Sequence, residues 1–185
     1  MSLFVCCILH FGSFITINFI SISMEAKSTD RKTFQLTDNG QLLASLLYED
    51  LLFAKAEIKI ANENSYLIAP VGFWGSSINV IKNGNEVAKL VMTWGGHINI
   101  LFTDGREFVL KLNAFFYGKY IVEDKNGEMI FQLSPKFNWR AFHYNYEIAY
   151  GVSNNESDDI LLLLLGIYSA NYFIACMSGA SAGMI

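Results

Sequence analysis

No charged residue follows Asp159, and the next stretch, ILLLLLGIYSANYFIACM over 160–177, includes five consecutive leucines, Leu161 to Leu165. A helix that is apolar on every face must be buried in protein or in lipid. Each leucine gains roughly 1.5–3 kcal/mol on leaving water, so exposure is not a stable option. Ser157, Asp158 and Asp159 supply N-capping side chains and negative charge at a helix start. Together these features predict a helix over about 158–177. At 1.5 Å per residue, 160–177 spans roughly 27 Å, close to the bilayer core. Two hosts stay open: a membrane, which would make this a tail anchor, or the lumen of a barrel built from the preceding strands. The flank 154–159 is acidic rather than basic, which favours the barrel. Gly166, Ser169, Ala170 and Ala175 are small and permit close approach, and 179–183 is expected to fray.

A second uncharged stretch covers residues 1–23, MSLFVCCILHFGSFITINFISIS. A secretory signal would carry Lys or Arg ahead of its apolar run, and none is present. His10 and Asn18 would be costly in lipid. Met24 opens MEAKSTDRKTF, which reads as an ordinary soluble N-terminus. The leader is therefore read as translated upstream sequence from a wrongly chosen start, a membrane anchor or a signal peptide, in that order. If it is an anchor, Lys27, Arg31 and Lys32 behind it leave the main domain in the cytoplasm. Residues 24–185 are read as one domain, since 185 residues fit one domain better than two and no long linker divides them.

The middle of the chain alternates strands with tight turns. Turn signals recur at Asp38-Asn39-Gly40, Lys82-Asn83-Gly84, Thr103-Asp104-Gly105 and Lys125-Asn126-Gly127. Asn-Gly and Asp-Gly tolerate the positive φ that two-residue hairpin turns require. The pattern runs from Thr33 to Val152 and predicts pairing of 77–81 with 86–92, of 97–102 with 106–112, and of 119–123 with 128–133. A further long strand is expected over 139–150, carrying Trp139, Phe142, Tyr144 and Tyr146. Residues 54–61 alternate as a half-buried strand, with Lys55, Glu57 and Lys59 on one face. A strand over 65–69 is expected to follow across a turn at 62–64, and 70–75 to break the ladder. Residues 41–48 fit helix or strand. Short strands at regular spacing predict an all-β sandwich or barrel.

Strand–Asn-Gly–strand hairpins over 78–92, 97–112 and 117–133, followed by the apolar helix at 159–175, resemble the tubby-like barrel superfamily. This group includes tubby C-terminal domains, phospholipid scramblases and the LURP-one-related proteins. The resemblance covers about 32–177 and implies a mainly β fold, a closed antiparallel barrel around a hydrophobic C-terminal helix. It implies a non-enzymatic binding or scaffold module in the cytoplasm or associated with a membrane, with a phospholipid headgroup or membrane surface as first ligand. Lys111, Lys119, Lys136 and Arg140 are the candidate ligand-contacting residues, and a solvated face is their plainer reading. The net charge of −4 weakens a lipid ligand unless these residues gather on one face. The alternative is a membrane-anchored β-domain with an apolar terminal segment in the bilayer, a scramblase-like role being a minor branch of it.

Chemistry is sparse. The acidic charge argues against a nucleic-acid partner. Cys6, Cys7 and Cys176 have no zinc or disulfide spacing, so a reducing compartment is permitted. Cys176 is expected to be an inert core residue. His97 and His143 are read as rim or packing residues, since neither has a carboxylate at diagnostic spacing. Gly72-Phe73-Trp74-Gly75 and Trp94-Gly95-Gly96 lack a phosphate-loop lysine and read as strand ends. Asn154, Asn155, Glu156, Asp158 and Asp159 lack the alternating ligands and central Gly of a calcium loop, and capping explains them more simply. No cofactor or metal is expected. Trp74, Trp94 and Trp139 are expected to pack on the barrel, with a lipid-interface belt as the alternative.

Overall fold

The computed structural model describes residues 24–49, 54–61, 65–71, 77–113, 118–151 and 159–177. The leader with Cys6 and Cys7, the 62–64 turn, Gly72-Phe73-Trp74-Gly75, Asp158 with the acidic residues before it, and the expected frayed end lie outside them.

Twelve strands form one closed antiparallel barrel. They are β1 Met24–Ser28, β2 Thr33–Asp38, β3 Gln41–Tyr48, β4 Ala56–Ile60, β5 Tyr66–Val71, β6 Ser77–Lys82, β7 Asn85–Met92, β8 Ile98–Phe102, β9 Glu107–Leu112, β10 Tyr120–Asp124, β11 Met129–Asn138 and β12 His143–Tyr150. Each strand pairs with its neighbours in sequence, and β1 pairs with β12 to close the ring. Closure leaves no edge strand open to another chain. The strand pattern read from Thr33 onward missed β1. Only Ala26 and Ser28 are buried in this short, charged strand, with Met24 partly buried against the core, so its apolar signal is weak.

Period-two alternation places one side chain in two inside the barrel. Phe34, Leu46, Ile58, Val80, Leu90, Ile100, Leu110 and Val122 form part of the inner wall. The three expected hairpins form with the expected partners. Residues 41–48 are strand, their inward positions Ala44, Leu46 and Tyr48 being buried.

The four turns divide into two kinds. Asn39 and Gly40 both have positive φ, as do Asn83 and Gly84, so these are two-residue hairpin turns. In the other two only Gly105 and Gly127 turn left-handed. There an aspartate organises the loop: Asp104 Oδ1 accepts from Arg106 N at 3.0 Å, and Asp124 Oδ1 accepts from Asn126 N at 2.9 Å and Glu128 N at 2.8 Å.

Two strand boundaries differ from expectation. Pro70 and Val71 continue β5 rather than break it. The expected 139–150 strand begins only at His143, because β11 runs on to Asn138 and 139–142 form the turn. Pro135 is tolerated within β11 because register with β10 ends at Leu133, leaving Tyr146 of β12 as its partner among the described residues.

The helix α1, Ile160–Met177, fills the lumen. Leu162 to Asn171 are buried without interruption, which means burial on every face of the helix. α1 is long and apolar enough to cross a membrane by length and composition. Its apolarity is satisfied here by the barrel wall. A Cβ on Gly166 would meet the Phe131 ring at 2.9 Å, so the small residue lets helix and strand approach. Asp159 caps the helix, its Oδ1 accepting from Leu162 N at 2.9 Å.

Candidate functional site: the two rims of the barrel

The strand order gives the barrel two ends. Connections β2–β3, β4–β5, β6–β7, β8–β9 and β10–β11 lie at the end where α1 begins. Connections β1–β2, β3–β4, β5–β6, β7–β8, β9–β10 and β11–β12 lie at the end where α1 finishes. Two contacts fix this direction. Arg106, in the β8–β9 turn, bonds the capping carboxylate of Asp159. Near the other end of the helix, the Phe173 ring comes within 3.7 Å of the Cβ position of Gly96, in the β7–β8 connection.

The entry rim is polar. Its described turns are Asn39-Gly40, Asn83-Gly84, Thr103 to Arg106 and Lys125 to Glu128, with no large apolar side chain. Arg106 ties this rim to the helix: it also reaches Asp104 Oδ2 from Nε at 2.9 Å and lies over the Phe102 ring at 4.3 Å.

The exit rim is aromatic and basic. Of the ten large apolar side chains left exposed among the described residues, only Leu42 and Leu67 lie away from it. Trp94 stands fully in water, Trp139 is 77% exposed and Phe142 60% exposed. The expectation that Trp94 and Trp139 pack on the barrel is therefore corrected. Both sit in connections, where the inward–outward alternation of a strand no longer directs a side chain to the core. Trp74 lies outside the described residues. Arg31, Lys32, Lys55, Lys119 and Arg140 also belong to these connections, against Asp30 and Glu49 among the described residues.

The sequence-derived basic candidates divide. Lys119 and Arg140 are at the exit rim, and Arg140 is exposed. Lys111 and Lys136 lie on the outer wall near it, each in an ion pair: Lys111 Nζ to Glu123 Oε2 at 2.5 Å, and Lys136 to Glu147. Sequence reasoning missed Arg31, whose guanidinium lies over the Phe142 ring at 5.4 Å. Only the β1–β12 pairing brings residues so distant in the chain together.

The β11–β12 tip is built with care. Asn138 Oδ1 accepts from Arg140 N at 3.1 Å and Ala141 N at 3.3 Å. Asn138 Nδ2 donates to Ser28 O at 3.2 Å and to Asn145 Oδ1 at 3.3 Å. Asn145 Oδ1 also accepts from Ser28 N at 2.9 Å. Below the tip His143 is buried and packs edge-on against Phe34, with centroids 4.6 Å apart. Burial pushes its pKa down to about 4. His97, by contrast, is exposed on the exit rim.

Inside the barrel, polar groups serve packing. Asn171 receives a hydrogen bond from Tyr146 Oη at 2.7 Å and donates one to Tyr48 Oη at 3.0 Å. Tyr168 Oη donates to Ala54 O at 2.7 Å. Desolvation raises the pKa values of Tyr48 and Tyr146, keeping both phenols protonated. Among the described residues Ser169 Oγ is buried without a hydrogen-bond partner, and no group of three or more His, Cys, Asp or Glu could hold a metal ion. No family model matches the chain, and neither a curated protein nor a solved structure matches it.

Proposed function

We propose that this chain is a non-enzymatic binding module of the tubby-like kind, which docks its helix-exit rim on an acidic phospholipid surface. The observation that carries the reading is the segregation of side chains between the two rims. Tryptophan and phenylalanine favour the membrane interface, where an apolar ring meets a wet headgroup layer. Nearby Lys and Arg add about 1 kcal/mol each toward an anionic surface. The net charge of −4 is no obstacle, because a surface reads the local field rather than the sum. Twelve antiparallel strands closed around a C-terminal helix also form the architecture that the tubby-like resemblance implies.

The test is co-sedimentation of the purified chain with vesicles of phosphatidylcholine, with and without phosphatidylserine. Binding is expected to require phosphatidylserine and to weaken as salt is raised. Failure to pellet with either vesicle would overturn the reading. So would equal pelleting with both, since that would remove the role of the basic residues.

A further inference from the structure

We infer that the β11–β12 tip penetrates the lipid headgroup layer, with Trp139 and Phe142 as the inserted side chains and Arg31 and Arg140 at the level of the phosphates. This rests on the membrane-surface reading and adds the element, the depth and the orientation.

Three observations carry it. First, Phe142 has a left-handed backbone, φ +52°. A bulky residue there is strained, and the strain is held by surrounding structure. What it achieves is visible in the burial sequence: Ala141 and His143 turn inward, while Phe142 between them is directed into solvent. Second, the tip is pre-organised. The Asn138–Ser28–Asn145 hydrogen bonds hold its base, and Phe137 packs edge-on against Trp139 and Tyr144, at 4.8 Å and 5.3 Å between centroids. A rigid aromatic anchor loses little entropy on insertion. Third, charge is placed to match. Arg31 covers one face of Phe142, and Arg140 is exposed between the two aromatic residues. Guanidinium groups beside inserted rings suit phosphate oxygens directly above the acyl chains.

The test uses the Trp74→Phe, Trp94→Phe variant, in which Trp139 is the sole tryptophan. It is mixed with phosphatidylserine-containing vesicles whose acyl chains carry bromine, and bound protein is measured by sedimentation in the same samples. The expected result is a blue shift of Trp139 emission with quenching by the brominated chains. Bound protein whose Trp139 stays unshifted and unquenched would overturn the tip as the inserting element while leaving the membrane reading intact. Absence of sedimentation by the unsubstituted chain would overturn both, and loss of sedimentation in the variant alone would overturn the tip in favour of the replaced tryptophans. A concentration-dependent blue shift without lipid would overturn insertion in favour of a second copy of the chain covering the tip. A second variant, Phe142→Gly, separates binding from folding. Glycine adopts positive φ without strain, so its melting temperature is expected to stay level or rise while vesicle binding weakens about tenfold. Unchanged binding would remove Phe142 from the proposal.

Discussion

The two rims of this barrel are made by the same chain, yet they are different surfaces. At the entry rim the described turns are short, their residues are mostly Asn, Asp, Gly and Thr with a few charges, and Arg106 joins a turn to the helix cap. At the exit rim the described connections leave Trp94, Trp139 and Phe142 in water and carry Arg31, Lys32, Lys55, Lys119 and Arg140. The comparison teaches a division of labour. Hydrogen bonds and ion pairs of the entry rim act within the molecule. Exposed rings at the exit rim contribute little to the fold and are available to something outside it.

Breaking the element that joins the rims should have the largest effect. Leu163 is buried near the start of the enclosed part of α1. Leu163→Lys is expected to abolish cooperative thermal unfolding, since an unpaired charge buried there costs about 3–5 kcal/mol. A variant with an unchanged melt would place the helix outside the barrel and dissolve the distinction between its two ends.

The next effect belongs to the exit side. His143 has a folded pKa of about 4 against an ordinary 6.5, because burial disfavours the charged ring. Between these values the unfolded chain takes up the proton and the folded chain does not. Stability is therefore full above pH 6.5 and falls as the pH drops toward 4, by about 3 kcal/mol in all. Denaturant titrations at neutral and acid pH should show this loss, and His143→Gln should remove most of that slope. A wild-type slope identical to the variant's would mean that His143 is not the group responsible.

At the entry rim, Asp159→Ala removes a helix cap and the partner of Arg106. It is expected to lower stability by about 1–2 kcal/mol and to leave vesicle binding unchanged. Set beside Phe142→Gly, it gives a crossed result: one variant lowers stability alone and the other lowers binding alone. Losing both properties together in either variant would break the comparison.

The smallest effect lies between the rims. Ser169 Oγ, buried with no partner among the described residues, faces a small cavity lined by Ile78, Leu90, Met92, Ile98, Tyr168 and Tyr172. Ser169→Ala removes an unsatisfied hydroxyl and improves helix propensity, so stability is expected to hold or rise by up to about 1 kcal/mol. A clear loss on calorimetric melting would indicate that the hydroxyl is satisfied in solution, for which a bridging water is the simplest partner.

Local chemistry explains why much of the fold was legible. Asn39-Gly40 and Asn83-Gly84 announce their turns because few other pairs accept two positive φ values. Asp159 announces a helix start, and the leucines after it announce burial. The alternation at 54–61 announces a strand with one wet face. The site was less legible. Lys111 and Lys136 read as free cations in the sequence, but antiparallel neighbours bring Glu123 and Glu147 to them. Trp139 and Phe142 read as strand residues because aromatic residues favour strands. A side chain of Asn138 and one left-handed residue instead turn the chain there.

By itself, then, the sequence determined the period-two pattern of the wall, the position of the tight turns, the capped helix and its need to be buried. Each of these depends on interactions within a few residues, so each leaves a local mark. The tertiary structure alone decided that β1 closes the ring against β12, that the helix finds its burial in the lumen, and that Arg31 comes to lie over Phe142. These depend on contacts between residues tens to more than a hundred positions apart, for which the chain carries no local signal. The rims arise in the same way: closure gathers alternate connections at each end, and so turns scattered aromatic and basic residues into one surface.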